Sequence, residues 1–273
     1  MILEPSVFLG FAPYLGHRSL QICAASCRQS FDHAYVSDVW HAVDFSQWRP
    51  LEGHIEPGDM DLIFALKRVP PGRLRRLVLR SRRISNDGFS AILLMQNQVE
   101  ELVIDTNLTH LGSASCSCLS GDALALAPSL RRLELLGLPL SALAMSDGMD
   151  GRVSLETLVL QLPTLQDLQA IPGLKTLKML EVFPPAISFN SLGMLLPEVQ
   201  LFNEALLRIF NSCQQLQQVR LWGFYILDTM MLRALCNLPK LEELHGYYRE
   251  DVDRTTLSAL SRKCVNVHLA LPP

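Results

Sequence analysis

The chain of 273 residues contains no apolar run of the ~18 residues that a membrane-spanning helix requires. Pro197 and Glu198 interrupt the best candidate, so no membrane segment is expected. The start, MILEPSVFLGF, lacks the basic opening and small-residue cleavage site of a secretory signal. The seven cysteines are odd in number, dispersed and never arranged as CxxC, which argues against a disulfide framework. Neither sign of charge dominates: 24 basic residues face 27 acidic ones, leaving a net charge of −3 and no global field for nucleic acid. There is no glycine-rich phosphate loop, no HExxH and no GxSxG elbow, and the seven histidines are scattered. These absences predict an intracellular protein, cytoplasmic or nuclear, with no catalytic site, cofactor or metal, no membrane partner and no nucleic-acid partner.

What the chain has in abundance is leucine in a fixed pattern. L-x-x-L-x-L or a close variant appears as LRRLVL from Leu74, VEELVI from Val99, LRRLEL from Leu130 and LETLVL from Leu155. It continues as LKTLKM from Leu174, LQQVRL from Leu216, LEELHG from Leu241 and the degenerate CVNVHL from Cys264. The steps are 25, 31, 25, 19, 42, 25 and 23 residues, mostly those of a leucine-rich repeat. The fourth and sixth positions, such as Leu77 and Leu79, lie on one side of a short strand and face the core.

Between the strands lie stretches with a polar start and a helical apolar stripe. NDGFSAILL predicts a cap at Asn86 or Asp87 with Phe89, Ile92 and Leu93 buried. FNEALLRIF predicts a cap at Asn203, LDTMMLRAL one at Asp228 and VDRTTLSAL one at Asp253. One such unit cannot bury its own apolar face, so the units must stack. The 31-residue step holds NLTHLGSASCSCLSG and reads as an inserted loop. The 42-residue step, around FPPAISFNSLGMLLPEV, fits either a degenerate repeat or a long loop.

Residues 3–40 follow a different plan. Val7, Phe8, Phe11, Tyr14 and Leu15 outline one short helix, and Leu20, Cys23, Ala24, Cys27 and Phe31 line one face of a second, capped by Ser19. WHAVDF, at residues 40–45, places Trp40, Val43 and Phe45 in the repeat positions and reads as a capping strand. The expected organisation is a helical segment with capping strand over 1–45, a linker over 46–58 and the repeat array over 59–273.

NSCQQLQQVRL, RKCVNVHL and the acid-led helix starts resemble the cysteine-containing leucine-rich repeats of F-box/leucine-rich-repeat proteins. Upstream, LEP, YLGHRSL, ASCRQSF and DVW resemble the elements of an F-box, with Pro5 following Glu4 and Pro13 inside the first helix as departures. The resemblance implies an α/β leucine-rich-repeat solenoid, a curved parallel sheet with outer helices, preceded by a small all-α segment. It implies a substrate-recognition adaptor of a Skp–cullin–F-box ubiquitin ligase. Leu3, Pro5, Phe8, Leu15, Leu20 and Trp40 match the family pattern and would dock the Skp-type adaptor, while the repeats would hold a protein substrate. The alternative is a free-standing repeat module for protein binding with no ligase role.

Strand parity gives the candidate binding face. Residues alternating with the strand leucines face outward, away from the core, onto the concave surface where a substrate is expected to bind. They include Arg76, Val78, Arg80, Glu101, Val103, Asp105, Arg132, Glu134, Thr157, Val159, Gln161, Thr176, Lys178, Gln218, Arg220, Trp222, Glu243, His245 and Tyr247. Trp222 and Tyr247 stand out as anchors, because aromatic side chains dominate interface energetics. Cys23 and Cys27 could ligate zinc only with two further ligands, which their surroundings do not offer, so they read as packing residues. SCSC, with Cys116 and Cys118, reads as a polar loop. RLRRLVLRSRR carries six arginines in eleven residues and reads as a protein-binding or structural patch ahead of a phosphate site.

Overall fold

The structure is a computed structural model. It describes residues 41–45, 58–67, 69, 71–79, 84–105, 121–136, 154–161, 165–183, 196–223 and 226–271. The proposed docking residues Leu3, Pro5, Phe8, Leu15, Leu20 and Trp40 lie outside these, as do Cys23, Cys27, Arg80, Cys116 and Cys118. Two compact units divide the chain, residues 1–130 and 131–273. Both have the α/β leucine-rich-repeat fold, in which a short parallel strand is followed by a helix or a 3-10 turn.

The first unit contains β1 (Ala42–Asp44), α1 (Asp59–Leu66), β2 (Arg76–Leu79), α2 (Asn86–Met95), β3 (Glu101–Asp105) and a 3-10 helix over Gly121–Leu126. β1, β2 and β3 pair in parallel and in register, with Val43 beside Leu77 and Leu77 beside Leu102. Val43 and Phe45 are buried, so WHAVDF contributes a true strand of this sheet. The helices supply Leu62, Leu66, Phe89, Ile92 and Leu93 to the core, each almost fully buried. Burial of one such side chain is worth about 1.5–3 kcal/mol, and it is available only because neighbouring repeats cover one another.

The cap of α2 is Ser85, one residue before the expected Asn86 and two before Asp87. Ser85 is extended and its Oγ accepts the Gly88 N–H at 3.1 Å. Its own N–H and hydroxyl donate to the Asp59 carboxylate at the start of α1. Ser85 therefore answers two helix starts, a role that neither Asn86 nor Asp87 is placed to fill. The close approach requires glycine at 88, where a Cβ would lie 2.1 Å from Asp59 Cγ.

The second unit contains β4 (Arg132–Leu136), β5 (Thr157–Gln161), α3 (Leu165–Ala170), β6 (Met179–Phe183), α4 (Leu196–Ser212), β7 (Gln218–Leu221), β8 (Ile226–Leu227), α5 (Thr229–Asn237), β9 (Glu243–Tyr248), α6 (Arg254–Lys263) and β10 (Asn266–Ala270). Its parallel sheet runs β4-β5-β6-β7-β9-β10. β8 also pairs with β9, beyond a break after Trp222 where Gly223 takes a φ of +78° that favours glycine. Asp228 and Asp253 cap α5 and α6 as expected, accepting the Met231 and Thr256 N–H groups at 2.8 and 2.7 Å. Asn203 is not a cap: α4 starts seven residues earlier, and Asn203 lies within it. Leu206, Ile209 and Phe210 from this helix are buried.

One repeat frame differs from the sequence reading. The N–H groups of paired residues converge on a single carbonyl before each strand: Glu156 and Thr157 on Arg131, Lys178 and Met179 on Glu156, Gln217 and Gln218 on Lys178. Lys178 is therefore the equivalent of Glu156 and Gln217, so the frame begins at Leu177, not Leu174. Leu180 and Val182 fill the inward strand positions, both fully buried. The leucines at 174, 177 and 180 offer two overlapping frames, and the one ending in a β-branched residue suits a strand better. β6 then pairs directly with β7, Met179 beside Gln218, so no strand of a degenerate repeat stands between them.

A candidate interaction face on the outward strand positions

In a parallel sheet without register slips, equivalent positions form lines across the strands, about 4.8 Å apart. The pairings of the second unit place Glu134, Val159, Glu181, Arg220, His245 and His268 on one such line. Arg132, Thr157, Met179, Gln218, Glu243 and Asn266 form the line on one side of it. Phe183 and Trp222 follow on the other side.

Four of these strands meet in a polar and aromatic cluster. Trp222 Nε1 donates to Glu181 Oε1 at 2.9 Å. The Trp222 ring stacks with Phe183 at 6.2 Å between centroids and 11° between planes, and lies 5.7 Å from the His245 ring. His245 stacks on His268 at 4.3 Å, as its partner on the next strand must if both rings stand upright. Arg220 Nε donates to Glu243 Oε1 at 2.7 Å, and its NH1 lies 3.7 Å from Glu181. His245 Nε2 is 3.0 Å from the same Glu243 oxygen; a carboxylate only accepts, so Nε2 carries the hydrogen.

This geometry moves the charges of the central pair. The hydrogen bond from Arg220 holds the Glu243 carboxyl below its usual range against the opposing effect of burial. The same bond raises the Arg220 guanidinium further. Elsewhere in the second unit Arg132 grips Glu134 at 2.6 Å; in the first unit, by itself, Arg76 meets Glu101 across β2 and β3 at 3.5 Å.

The outward assignment is met unevenly by the residues read from strand parity. Arg220, Trp222 and His245 belong to one neighbourhood in the second unit, Tyr247 lies further along β9, Arg132 and Glu134 form a pair on β4, and Arg76, Glu101 and Asp105 lie in the first unit. Val78, Val103 and Val159 alternate with the inward residues but are themselves buried. Thr176 and Lys178 drop out of the row because of the shifted frame: Thr176 precedes the strand, and Lys178 instead forms an ion pair with Glu156 at 2.8 Å. Met179, Glu181 and Phe183 take their place, and Glu181 and Phe183 are the residues that sequence reasoning missed. His268 was also missed, although CVNVHL places it at an outward position.

The described cysteines serve packing. Cys213 and Cys264 are buried, and burial pushes the Cys213 thiol up to about 11. Burial likewise raises Cys236 and Cys264, so these thiols are poor nucleophiles at neutral pH. Among the described residues no group of three or more His, Cys, Asp or Glu could hold a metal ion, and no helix is long and apolar enough to cross a membrane.

No family model and no curated protein matches the chain. Among solved structures it is similar to a TLR13–ssRNA13 complex, with 14% identity and a TM-score of 0.43 over 86% of this chain. The chain spans about a third (34%) of the length of that protein. It is also similar to the Rad7 and Elc1 complex of yeast, with 13% identity and a TM-score of 0.22, covering 77% of this chain and 82% of the other. Both likenesses are too distant to speak for function, and the repeat fold rests on the chain's own strands and helices.

Proposed function

We propose that the chain is a non-catalytic substrate-recognition adaptor of a Skp–cullin–F-box ubiquitin ligase. The observation that carries the recognition half is the cluster of Phe183, Trp222, Glu181, Arg220, Glu243 and His245 on the outward strand face. A face built only for solubility has no need of a tryptophan whose indole N–H is fixed by a carboxylate and whose ring is flanked by two others. Such an ordered, half-exposed aromatic suits an interface anchor. The adaptor half is supported by the order of the sequence elements: LEP, YLGHRSL, ASCRQSF and DVW directly precede the repeats. On this reading Leu3, Pro5, Phe8, Leu15, Leu20 and Trp40 dock the Skp-type adaptor, and the protein works inside the cell.

The test is co-expression of the chain with a Skp-type adaptor, followed by affinity capture. The control lacks residues 1–40 and keeps Val43 and Phe45, which are core residues of the first sheet. The intact chain is expected to retain the adaptor and the truncated chain to lose it. Absence of the adaptor from the intact sample would leave a free-standing protein-binding module as the better reading.

A further inference from the structure

β10 (Asn266–Ala270) is the last strand of its sheet, and among the described residues no strand pairs with its far side. β9 and β10 run parallel, and the Asn266 N–H donates to the Glu242 carbonyl at 3.0 Å. Alternate residues of a parallel ladder face the same neighbour, so Asn266, His268 and Ala270 direct their backbone groups at β9. The N–H and C=O groups of Val267 and Leu269 therefore point to the open edge.

Side-chain burial fails at the same place. Leu158, Leu160, Leu180, Val182, Val219 and Leu221, at the inward positions of β5, β6 and β7, are at most 1% exposed. Val267 and Leu269 hold the inward positions of β10 but are only half-buried. Beside them Val265 is 80% exposed and Leu271 47%. The end of a repeat array needs cover, and native sheet edges are usually blunted by charge, proline or a bulge. From Cys264 to Leu271 the chain has no Asp, Glu, Lys, Arg or Pro.

We infer that β10 is the interface of a homodimer, in which two copies pair antiparallel through this edge across a two-fold axis at His268. A second copy is the occupant because the strand is complementary to its own reverse. The axis pairs every residue of β10: Val267 with Leu269 of the other copy, Asn266 with Ala270 of the other copy, and His268 with its own counterpart. Val267 and Leu269 carry the edge-facing backbone groups, so each such pair exchanges both of its N–H···O=C bonds. Just beyond the strand the same axis sets Val265 against Leu271 of the other copy, so the exposed apolar side chains cover one another. A slip of one residue would set these free groups against groups already committed to β9. The apolar alternation and the hydrogen-bonding alternation thus select the same register.

The experiment is sedimentation of the full chain from micromolar to near-millimolar concentration. A reversible shift toward twice the mass of one chain is expected. Leu269→Lys puts a charge among the inward apolar side chains of the interface and should raise the dimer dissociation constant roughly tenfold or more. Native amide exchange in β9 will show that this variant remains folded. Leu94→Lys replaces a leucine that is 66% exposed on α2 of the first unit, and it should leave the constant within about twofold. Introduced thiols read the register. His268→Cys brings two Cα atoms to about 4.5 Å across the axis, within reach of a disulfide. Ala270→Cys leaves its two copies roughly 14 Å apart along the strands. Mild oxidation should therefore link the first variant at its introduced thiol, identified by peptide mass spectrometry, and not the second.

A single-chain mass at every concentration would overturn the dimer and leave the edge to a strand of another protein. A dimer unchanged by Leu269→Lys, or linked at Ala270→Cys as readily as at His268→Cys, would overturn its place on β10. Neither readout depends on adaptor docking, which is decided separately by affinity capture.

Discussion

In the first unit, the middle line of the outward face includes Val78 and Val103, both buried, with the Arg76–Glu101 pair at one margin. In the second, the same line reads Glu134, Val159, Glu181, Arg220, His245 and His268, with Trp222 held between Glu181, Phe183 and His245. The inward positions of the two units barely differ: Leu77 and Leu79 on β2 have the same role as Leu158 and Leu160 on β5, and all four are buried. Packing constrains what faces the helices to leucine and its near relatives. It leaves the opposite face free, and among the described residues the aromatic cluster of Phe183, Trp222, His245 and His268 stands on that face of the second unit. Recognition is therefore expected to depend on the second unit's face, and stability on the shared inward grammar of both.

The largest break in this comparison should come from the core. Phe89→Ala in α2 removes a fully buried ring and should cost about 3–5 kcal/mol in denaturant unfolding. Amide exchange should rise first in β2 and β3 and remain native in β6, β7 and β9 under conditions where the chain remains folded. An equal rise in all five strands would contradict the separation of roles.

A smaller effect separates the two ways in which helices begin. Gly88→Ala drives a methyl group into Asp59 and breaks the clip through Ser85, for a cost of about 1–3 kcal/mol. In the second unit Asp228→Ala removes a simple cap from α5 and should cost about 1 kcal/mol. Equal melting temperatures for the two variants would show that the clip adds nothing beyond an ordinary cap.

The smallest effect concerns acid. Glu243 has a folded-state pKa below its ordinary 4.5, chiefly through the Arg220 hydrogen bond. Its contribution is therefore complete above pH about 4.5 and is lost as the pH falls through the lowered folded value. Glu243→Gln should lower stability at neutral pH by no more than about 1 kcal/mol, and the difference should vanish at the acid end. A difference that grows on acidification would reverse the sign of this account.

Much of the fold was legible because leucine spacing and packing impose the same constraint. The strands at Leu77, Leu133, Leu158, Val219, Leu244 and Val267 all lie in the frames that the pattern proposes. The caps Asp228 and Asp253 were legible for a similarly local reason: an acid three residues before a free helical N–H is sufficient. Non-local contacts were not legible. Ser85 displaces Asn86 and Asp87 because Asp59, 26 residues away, binds it. Asn203 has the composition of a cap, but the helix that begins at Leu196 passes through it. At 174–180 leucine recurs every three residues, and only the pairing with β5 selects one frame. That ambiguity hid Glu181 and Phe183, and with them the support of Trp222.

The central claim is most directly tested by calorimetric titration of a purified Skp-type adaptor into three chains: the intact protein, the protein without residues 1–40, and Trp222→Ala. The account predicts one-to-one binding to the intact chain and to Trp222→Ala with equal affinity, and no heat with the truncated chain. Absence of binding to the intact chain, or its survival without residues 1–40, would contradict it.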